Sequence, residues 1–173
     1  AGAGPERLAN VERAVAIAAG ILDSGGSAIE AAVEACVVLE DDPVFNAGTG
    51  SVFRTDGSVH LDASIQTSEG KMGFVIGMQD TPNPIRVAAD LLDEEINGLS
   101  GDGARLWADS KGFERSNVQG RPPFEGATDT VGVVARDKSG LIVCATSTGG
   151  TSNRPPGRVG DVPLPGCGFW VQD

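Results

Sequence analysis

The sequence predicts a single α+β domain, because two helical segments come first and several short strands follow. Its 173 residues suffice for one domain, and a hydrophobic content of 40% supports a packed core. Apolar residues recur every three or four positions near the start, whereas later segments alternate with a period of two. With 21% charged residues and no apolar run of 18, the sequence excludes a disordered tail, a coiled coil and a membrane span.

Two helices are predicted at the start of the chain. The helical pattern runs from Pro5 to Ser24 and ends at Gly25-Gly26. Ser27 and Glu30 form a capping box that opens the second helix. The predicted buried stripes are Leu8, Val11, Val15, Ala18 and Leu22 on the first helix, and Ile29, Ala32, Val33, Cys36 and Val37 on the second.

The middle of the chain predicts three strands and two shorter helices. The turn residues Thr55-Asp56-Gly57 separate the first two strands, as in a hairpin. Pro84 follows Asn83 at the start of one helix. The predicted strands are Ser51–Arg54, Val59–Ile65 and Met72–Met78; the helices begin at Asn83 and cover Ala104–Ser110.

A linker and a hairpin follow. Residues from Phe113 to about 129 are rich in Gly, Pro and polar side chains, and we expect them to form the natural boundary of the chain. The hairpin pairs Thr130–Arg136 with Leu141–Thr146 around a three-residue loop that ends at Gly140. In that register paired residue numbers sum to 278, which places Thr130 opposite Thr148. A two-residue or four-residue loop would shift this pairing.

Charge and residue counts narrow the chemistry. Thirteen Lys and Arg against 24 Asp and Glu give a net charge of −11, which disfavours nucleic acid and anionic membranes as partners. The three cysteines, Cys36, Cys144 and Cys167, form no C-x-x-C pattern, and residues 1–7 contain no basic leader, so we expect a reducing, cytoplasmic location. His60 is the only histidine, so we expect a nucleophile that is activated without histidine.

Three polar clusters after the linker could carry chemistry. They are Asp129-Thr130, Thr146–Gly150 and Gly157–Asp161. Strand hydroxyls beside a glycine turn, together with Arg158 and Asp161, could hold a zwitterion through its carboxylate and its ammonium. Each cluster taken alone is also typical of an ordinary strand or of a surface ion pair.

Taken together, these residues resemble the plant-type L-asparaginase/isoaspartyl peptidase family of N-terminal-nucleophile hydrolases, to which glycosylasparaginase is related. The order of the motifs is that of the family, and the resemblance covers nearly all of the chain. The matching segments are 39–50 (LEDDPVFNAGTG), 61–65 (LDASI), 130–132 (TVG), 146–150 (TSTGG) and 156–163 (PGRVGDVP).

The resemblance implies a four-layer αββα sandwich made as an inactive precursor. The bond between Asp129 and Thr130 would break itself, dividing the domain (1–173) into an α-subunit-like part (1–129) and the start of a β-subunit-like part (130–173). Thr130 would then attack substrate with its own α-amine as base, which agrees with the near absence of histidine. Thr148 would hydrogen-bond the nucleophile. Arg158 would bind the substrate carboxylate, Asp161 its ammonium, and Asn46 would reach the site from the first half.

The resemblance also implies a sodium ion held by main-chain carbonyls, although an ordinary turn that ends a helix is the alternative. Oxygen ligands suit such a hard cation. No other cofactor is expected to be required. The implied ligands are Leu39, Glu40, Asp42, Phe45, Ala47 and Thr49.

The function implied is hydrolysis of L-asparagine to aspartate and ammonia, of β-aspartyl dipeptides, or of both, by a homodimer of cleaved protomers. Two alternatives stay open: glycosylasparaginase, which Asp129-Thr130 resembles, and a non-catalytic fragment of the same fold that binds amino acids. The family's first strand is missing before Ala1, and its oxyanion-hole element would follow Asp173. We therefore expect a sandwich that is incomplete at both ends.

Overall fold

The computed structural model describes residues 4–122 and 129–172 and has an α+β fold. Two short 3-10 turns, Gly48–Gly50 and Leu91–Asp93, accompany the helices and strands. In chain order these are α1 (Pro5–Asp23), α2 (Ala28–Glu40), β1 (Leu61–Thr67), β2 (Met72–Met78), α3 (Pro84–Asp90), β3 (Gly98–Ser100), α4 (Gly101–Ser110), β4 (Val131–Arg136) and β5 (Ile142–Thr148).

The strands form one mixed sheet in the order β3-β2-β1-β5-β4. All neighbouring pairs are antiparallel except β2 and β3, which are parallel. Every residue of the central strand β1 is buried, so both faces of the sheet are covered.

Helices cover one face of the sheet. The coiled segment, residues 149–172 after β5, contains no helix or strand and covers the other face. Helix α2 packs against β4 and β5, α3 packs against β1 and β2, and α1 lies outside on α2. On the opposite face the Ser64 hydroxyl donates to the Val162 carbonyl at 2.7 Å, and the Gln66 amide donates to the Val171 carbonyl at 3.4 Å. These bonds bring the segment after β5 onto the face that also carries Thr148.

The first turn of α2 is capped as its sequence predicts. The Ser27 hydroxyl accepts the Glu30 amide at 3.1 Å. The Asp137 carboxylate, from the β4–β5 loop, accepts the Ala28 amide at 3.0 Å. Sequence and tertiary contacts therefore agree on where this helix begins.

The β4–β5 hairpin confirms the predicted register. Val131 pairs with Ser147 and Arg136 with Ile142, so paired numbers sum to 278. The Asp137 amide donates to the Leu141 carbonyl at 3.1 Å, and Gly140 adopts φ +96°, the left-handed conformation that a three-residue loop needs.

The predicted buried stripe of α1 is wrong for Leu8, Val11 and Val15, which are 56%, 41% and 61% exposed. Only Ala14 of this helix is fully buried, because α1 contacts the rest of the molecule mainly through α2. Helix α2, enclosed between α1 and the sheet, buries more than its predicted stripe and leaves only Ile29 of that stripe partly exposed.

The predicted strand Ser51–Arg54 is also wrong. Its residues are extended but form only an isolated bridge between Val52 and Arg121, because their backbone groups bond to the 119–121 segment and to Ser58 instead of to a neighbouring strand. The following strand begins at Leu61 rather than Val59. Sequence analysis missed β3, which is only three residues long.

Part of the predicted linker, residues 123–128, lies outside the described residues, so the boundary there stays a prediction. Residues 113–122 contain no helix or strand apart from the bridge at Arg121. No helix in the described parts of the chain is long and apolar enough to cross a membrane.

Candidate active site

Two threonine hydroxyls meet where β4 begins and β5 ends. Thr130 Oγ1 donates to Thr148 Oγ1 at 3.3 Å, as the hairpin register predicts. Thr148 is 3% exposed, and its hydroxyl also accepts the Gly150 amide at 3.1 Å, whereas Thr130 is exposed. The buried hydroxyl is therefore fixed, and it orients the accessible one.

Asn46 joins the first half of the chain to this pair. Its fully buried carboxamide donates to the Asp129 carbonyl at 3.3 Å and to the Gly150 carbonyl, and it accepts the Val52 amide at 3.1 Å. The Asp129 carbonyl belongs to the peptide bond that precedes Thr130. An amide N–H at this position can stabilise negative charge on that oxygen if the Thr130 hydroxyl attacks the carbon.

The Asp129 side chain is held as well. Its carboxylate forms an ion pair with the Arg7 guanidinium at 3.0 Å, and Arg7 also donates to the Val44 carbonyl at 3.2 Å. The start of α1, the loop after α2 and residue 129 thus meet at one place.

Arg158 and Asp161 lie on the coiled segment after β5. Arg158 is half-buried and Asp161 is exposed. Within residues 4–122 and 129–172, neither side chain has a hydrogen bond, and no ion pair joins them. The surface ion pair that R-x-x-D would ordinarily form is therefore not found, and the structure shows no direct contact between either residue and Thr130.

In the 39–49 loop, the main chain at Gly48 packs closely against carbonyl oxygens of other residues. A Cβ atom on Gly48, which has φ +48°, would lie 2.5 Å from the Glu40 carbonyl oxygen and 2.8 Å from that of Pro82. The Asp42 and Ala47 carbonyls accept amides from Phe45 and Gly50 respectively. A carbonyl oxygen has two lone pairs, so these bonds leave one acceptor site on each. The loop thus brings the carbonyls of Glu40 and Pro82 into a narrow cradle around Gly48, and oxygen is the donor type that a hard cation prefers.

Glu40 has a second feature that sequence analysis did not find. Its carboxyl is fully buried behind β5, where Oε1 accepts the Ser147 hydroxyl at 2.6 Å and the Ile85 amide at 3.2 Å. Burial raises its pKa to about 8, although the bonds from Ser147, Ile85 and Asn83 lower it. Ser147 immediately precedes Thr148, so this carboxyl anchors β5 next to the hydroxyl pair.

Arg54 and Asp62 are further buried charges that sequence analysis missed. Arg54 is 3% exposed and Asp62 is 1% exposed. Burial lowers the pKa of the Arg54 guanidinium, with Asp62 opposing the shift and Arg158 adding to it. Burial also raises the pKa of Asp62. No composition or spacing signal marks the burial of these residues, because charged side chains are ordinarily found at the surface.

His60 takes no part in the hydroxyl pair. It is only partly buried, and its Nε2 lies 3.1 Å from the Gln79 side-chain nitrogen. Cys36, Cys144 and Cys167 are free thiols.

A hydroxyl oriented by a second hydroxyl, with an amide donor on the adjacent carbonyl, defines a candidate acyl-transfer site with a threonine nucleophile. The family model described as Asparaginase matches residues 3–121 and 118–173, so the chain belongs to this family.

Its relatives are enzymes named for asparagine or isoaspartyl substrates. The isoaspartyl peptidase/L-asparaginase of Macaca fascicularis is 38% identical, covering 99% of this chain and 65% of the relative. The plant-type L-asparaginase of Pyrobaculum calidifontis is 38% identical over 86% of this chain and 58% of its own length. The isoaspartyl peptidase of Escherichia coli is 34% identical over 88% of this chain and 56% of its own length. The chain thus spans less than two thirds of the length of these relatives.

The buried carboxyl of Glu40 predicts a specific pH dependence of stability. Between the ordinary pKa of 4.5 and the native value of about 8, the native state retains a proton that the unfolded state has released. Stability from this group is therefore complete below pH 4.5 and falls as the pH rises, by at most about 1.4 kcal/mol per pH unit. Glu40→Gln, which resembles the protonated carboxyl, should remove that slope.

Urea unfolding at several pH values, for the wild type and Glu40→Gln, measures this difference directly. The variant should match the wild type in acid and exceed its stability above pH 8. Glu12→Gln, at an exposed position on α1, is the control and should keep the wild-type slope. Parallel curves for the wild type and Glu40→Gln would show that the carboxyl is ionised in the native state.

Proposed function

We propose that the full-length protein is an amidohydrolase that uses Thr130 as its nucleophile and acts on L-asparagine, on β-aspartyl dipeptides, or on both. The observation that carries this proposal is the contact of Thr130 with Thr148, beside the bond from Asn46 to the carbonyl of residue 129. The names of the relatives support the substrate class.

Maturation would begin at the bond before Thr130. Its hydroxyl oxygen bonds to the Asp129 carbonyl carbon while Asn46 donates to the carbonyl oxygen, and the carbon–nitrogen bond breaks. Water then hydrolyses the resulting ester. The products are a carboxylate on Asp129 and a free α-amine on Thr130, which divide the chain into parts 1–129 and 130–173.

Catalysis would reuse the same hydroxyl. The α-amine of Thr130 takes the hydroxyl proton while the oxygen attacks the substrate amide, and the leaving amine departs with that proton. Water hydrolyses the acyl-enzyme. Thr148 orients the nucleophile, and Arg158 and Asp161 would bind the carboxylate and the ammonium of the substrate, an arrangement that their unpaired state supports.

The architecture proposed for the complete protein is the four-layer αββα sandwich. The described sheet with helices on one face supports this proposal, since it would correspond to one α layer and one β layer of the sandwich. A homodimer of cleaved protomers is proposed on the family resemblance alone. The three free thiols support a cytoplasmic location.

The 39–49 loop is proposed to bind sodium. The groups that would hold the ion are the carbonyls of Leu39, Glu40, Asp42, Phe45, Ala47 and Thr49. No group of three His, Cys, Asp or Glu side chains in the described residues is placed to hold a metal, so main-chain oxygens are the donors that this loop offers. The ion would stabilise the loop that leads into Asn46.

Self-cleavage is the first test. Intact-mass analysis of the purified full-length protein should show two fragments separated at Asp129–Thr130. Thr130→Ala should remain a single chain because it lacks the attacking oxygen, and Thr130→Ser should recover cleavage. Thr55→Ala, at an exposed turn, should cleave like the wild type. Cleavage of Thr130→Ala at the same bond would contradict the threonine assignment.

Substrate preference is the second test. The cleaved protein should release ammonia from L-asparagine or leucine from β-Asp-Leu, and Arg158→Lys should lower kcat/KM because an ammonium cannot form the bidentate contact. Turnover of a glycosylated asparagine alone would favour the glycosylasparaginase alternative, which Asp129 supports. A protein that stays intact and turns over none of the three would be the binding fragment.

Sodium binding predicts a melting temperature that is higher in NaCl than in choline chloride of equal concentration, since a ligand of the native state stabilises it. Gly48→Ala should abolish this difference, because its methyl group would occupy the cradle. Gly57→Ala places the same strain at φ +82° in open space and should keep the difference. Equal melting temperatures of the wild type in both salts would contradict the sodium proposal.

A further inference from the structure

Arg54 is a buried cation whose guanidinium has no hydrogen-bond partner in the described part of the chain. Arg54 is 3% exposed. Its Nε, Nη1 and Nη2 all lack a hydrogen-bond partner among the described residues. Guanidinium groups carry five N–H donors, and burial without hydrogen bonds is costly for a charged group. An unsatisfied buried group of this kind indicates a catalytic or binding role, or contact with a water or an ion.

The guanidinium lies against the backbone of the candidate active site. A Cβ atom on Gly150 would be 2.8 Å from Arg54 Nη1 and 3.0 Å from Nη2. Gly150 donates to the Thr148 hydroxyl and accepts from Asn46, so it belongs to the hydroxyl pair's immediate surroundings. Arg54 therefore lies beside Gly150, which is hydrogen-bonded to Thr148 and Asn46, two residues of the proposed active site.

The charges around Arg54 do not neutralise it by direct contact. Asp62 attracts it, but the two share no hydrogen bond: Asp62 Oδ1 accepts the Gly77 amide at 2.7 Å, and its buried Oδ2 also lacks a partner. Asp56 is exposed, and its carboxylate accepts from Ser58. The positive charge of Arg158 adds to the lowering of the Arg54 pKa.

Asp56 is exposed, so solvent screens its charge, and the remaining set of Arg54, Arg158 and Asp62 has one positive charge in excess. Arg54 and Arg158 contribute two positive charges and Asp62 contributes one negative charge. A single carboxylate between the guanidiniums would balance the set and remove their repulsion. Its two oxygens offer about four acceptor sites, enough to accept from both arginines.

We propose that Arg54 forms, with Arg158, a two-guanidinium subsite for the α-carboxylate of aspartyl substrates, and that it determines specificity for that group. This inference rests on the proposed function. The α-carboxylate is preferred over a carboxylate on the leaving group because Arg54 is buried, whereas a leaving group must depart to solvent. Arg158 is the residue already proposed for the same carboxylate.

The test uses Arg54→Met in the mature full-length protein, with L-aspartate as a probe that needs no turnover. The dissociation constant for L-aspartate, measured by calorimetry, should rise by about 30-fold or more, the scale for losing one partner of a desolvated charged contact. kcat/KM for L-asparagine and for β-Asp-Leu should fall by a common factor, since both carry the same aspartyl group. The melting temperature without ligand should change little, because removing a buried charge without hydrogen bonds offsets the loss of its attraction to Asp62.

Two further variants sharpen the test. Arg154→Met changes an exposed arginine of the neighbouring segment and should bind L-aspartate like the wild type. Arg54→Lys keeps the positive charge beside Asp62, so it should fold like the wild type. It should still bind L-aspartate more weakly, because lysine lacks the planar fork of donors.

The outcomes separate this inference from the proposed function. Unchanged L-aspartate binding in Arg54→Met and Arg54→Lys would overturn the subsite even in an active enzyme. A loss confined to β-Asp-Leu would place Arg54 at the leaving group and also overturn it, as would a lower melting temperature with unchanged binding. If the wild type hydrolyses none of the substrates but binds L-aspartate in an Arg54-dependent manner, the reaction fails and the subsite stands.

Discussion

The register of the β4–β5 hairpin is the constraint on which the candidate site depends. Successive residues of a strand point to opposite faces, so a slip of one residue would move Thr130 and Thr148 apart. The register is fixed at both ends of the hairpin. Asp137 organises the loop through bonds from Ser139 and Leu141, and Ser147 donates to the buried Glu40 carboxyl. A helix side chain thus restrains the strand that carries the hydroxyl pair.

The two faces of β5 have different roles for the same reason. Ser147 faces the helical layer, where a largely protonated Glu40 can be buried without an ionic partner below about pH 8. Thr148 faces the coiled segment, where Asn46, Gly150 and residue 129 converge. Ser147 is therefore held from the helical side and Thr148 from the opposite side. Because the two residues are adjacent, these contacts limit how far the Thr148 hydroxyl can move.

Local signals explain what the sequence could predict. The hairpin register follows from loop length and Gly140, and the start of α2 follows from Ser27, because each depends on a few neighbouring residues. The stripe on α1 failed because periodicity shows which face is apolar but not whether anything covers it. Ser51–Arg54 failed because an extended, apolar segment pairs only where a partner strand lies beside it.

The buried charges could not be predicted from composition, since Glu40, Arg54 and Asp62 resemble surface residues until the chain is folded. In the sequence, Glu40 was identified only for its carbonyl, through a family resemblance, and its carboxyl proved to be the more informative group. The family motifs identified Asn46, but the structure alone shows its bond to the carbonyl of residue 129.

The protein's acidity and its arginine-lined site act on different steps. A net charge of −11 repels anions at a distance, but a zwitterion such as asparagine carries no net charge and approaches without that penalty. In the proposed site, the carboxylate and the ammonium of such a molecule would lie beside individual Arg and Asp side chains. Because screening suppresses interactions beyond about 10 Å at moderate salt, only these local charges act on the bound molecule at full strength. In the proposed site, acidity would govern approach, whereas the guanidinium groups of Arg54 and Arg158 would govern which charged groups are retained.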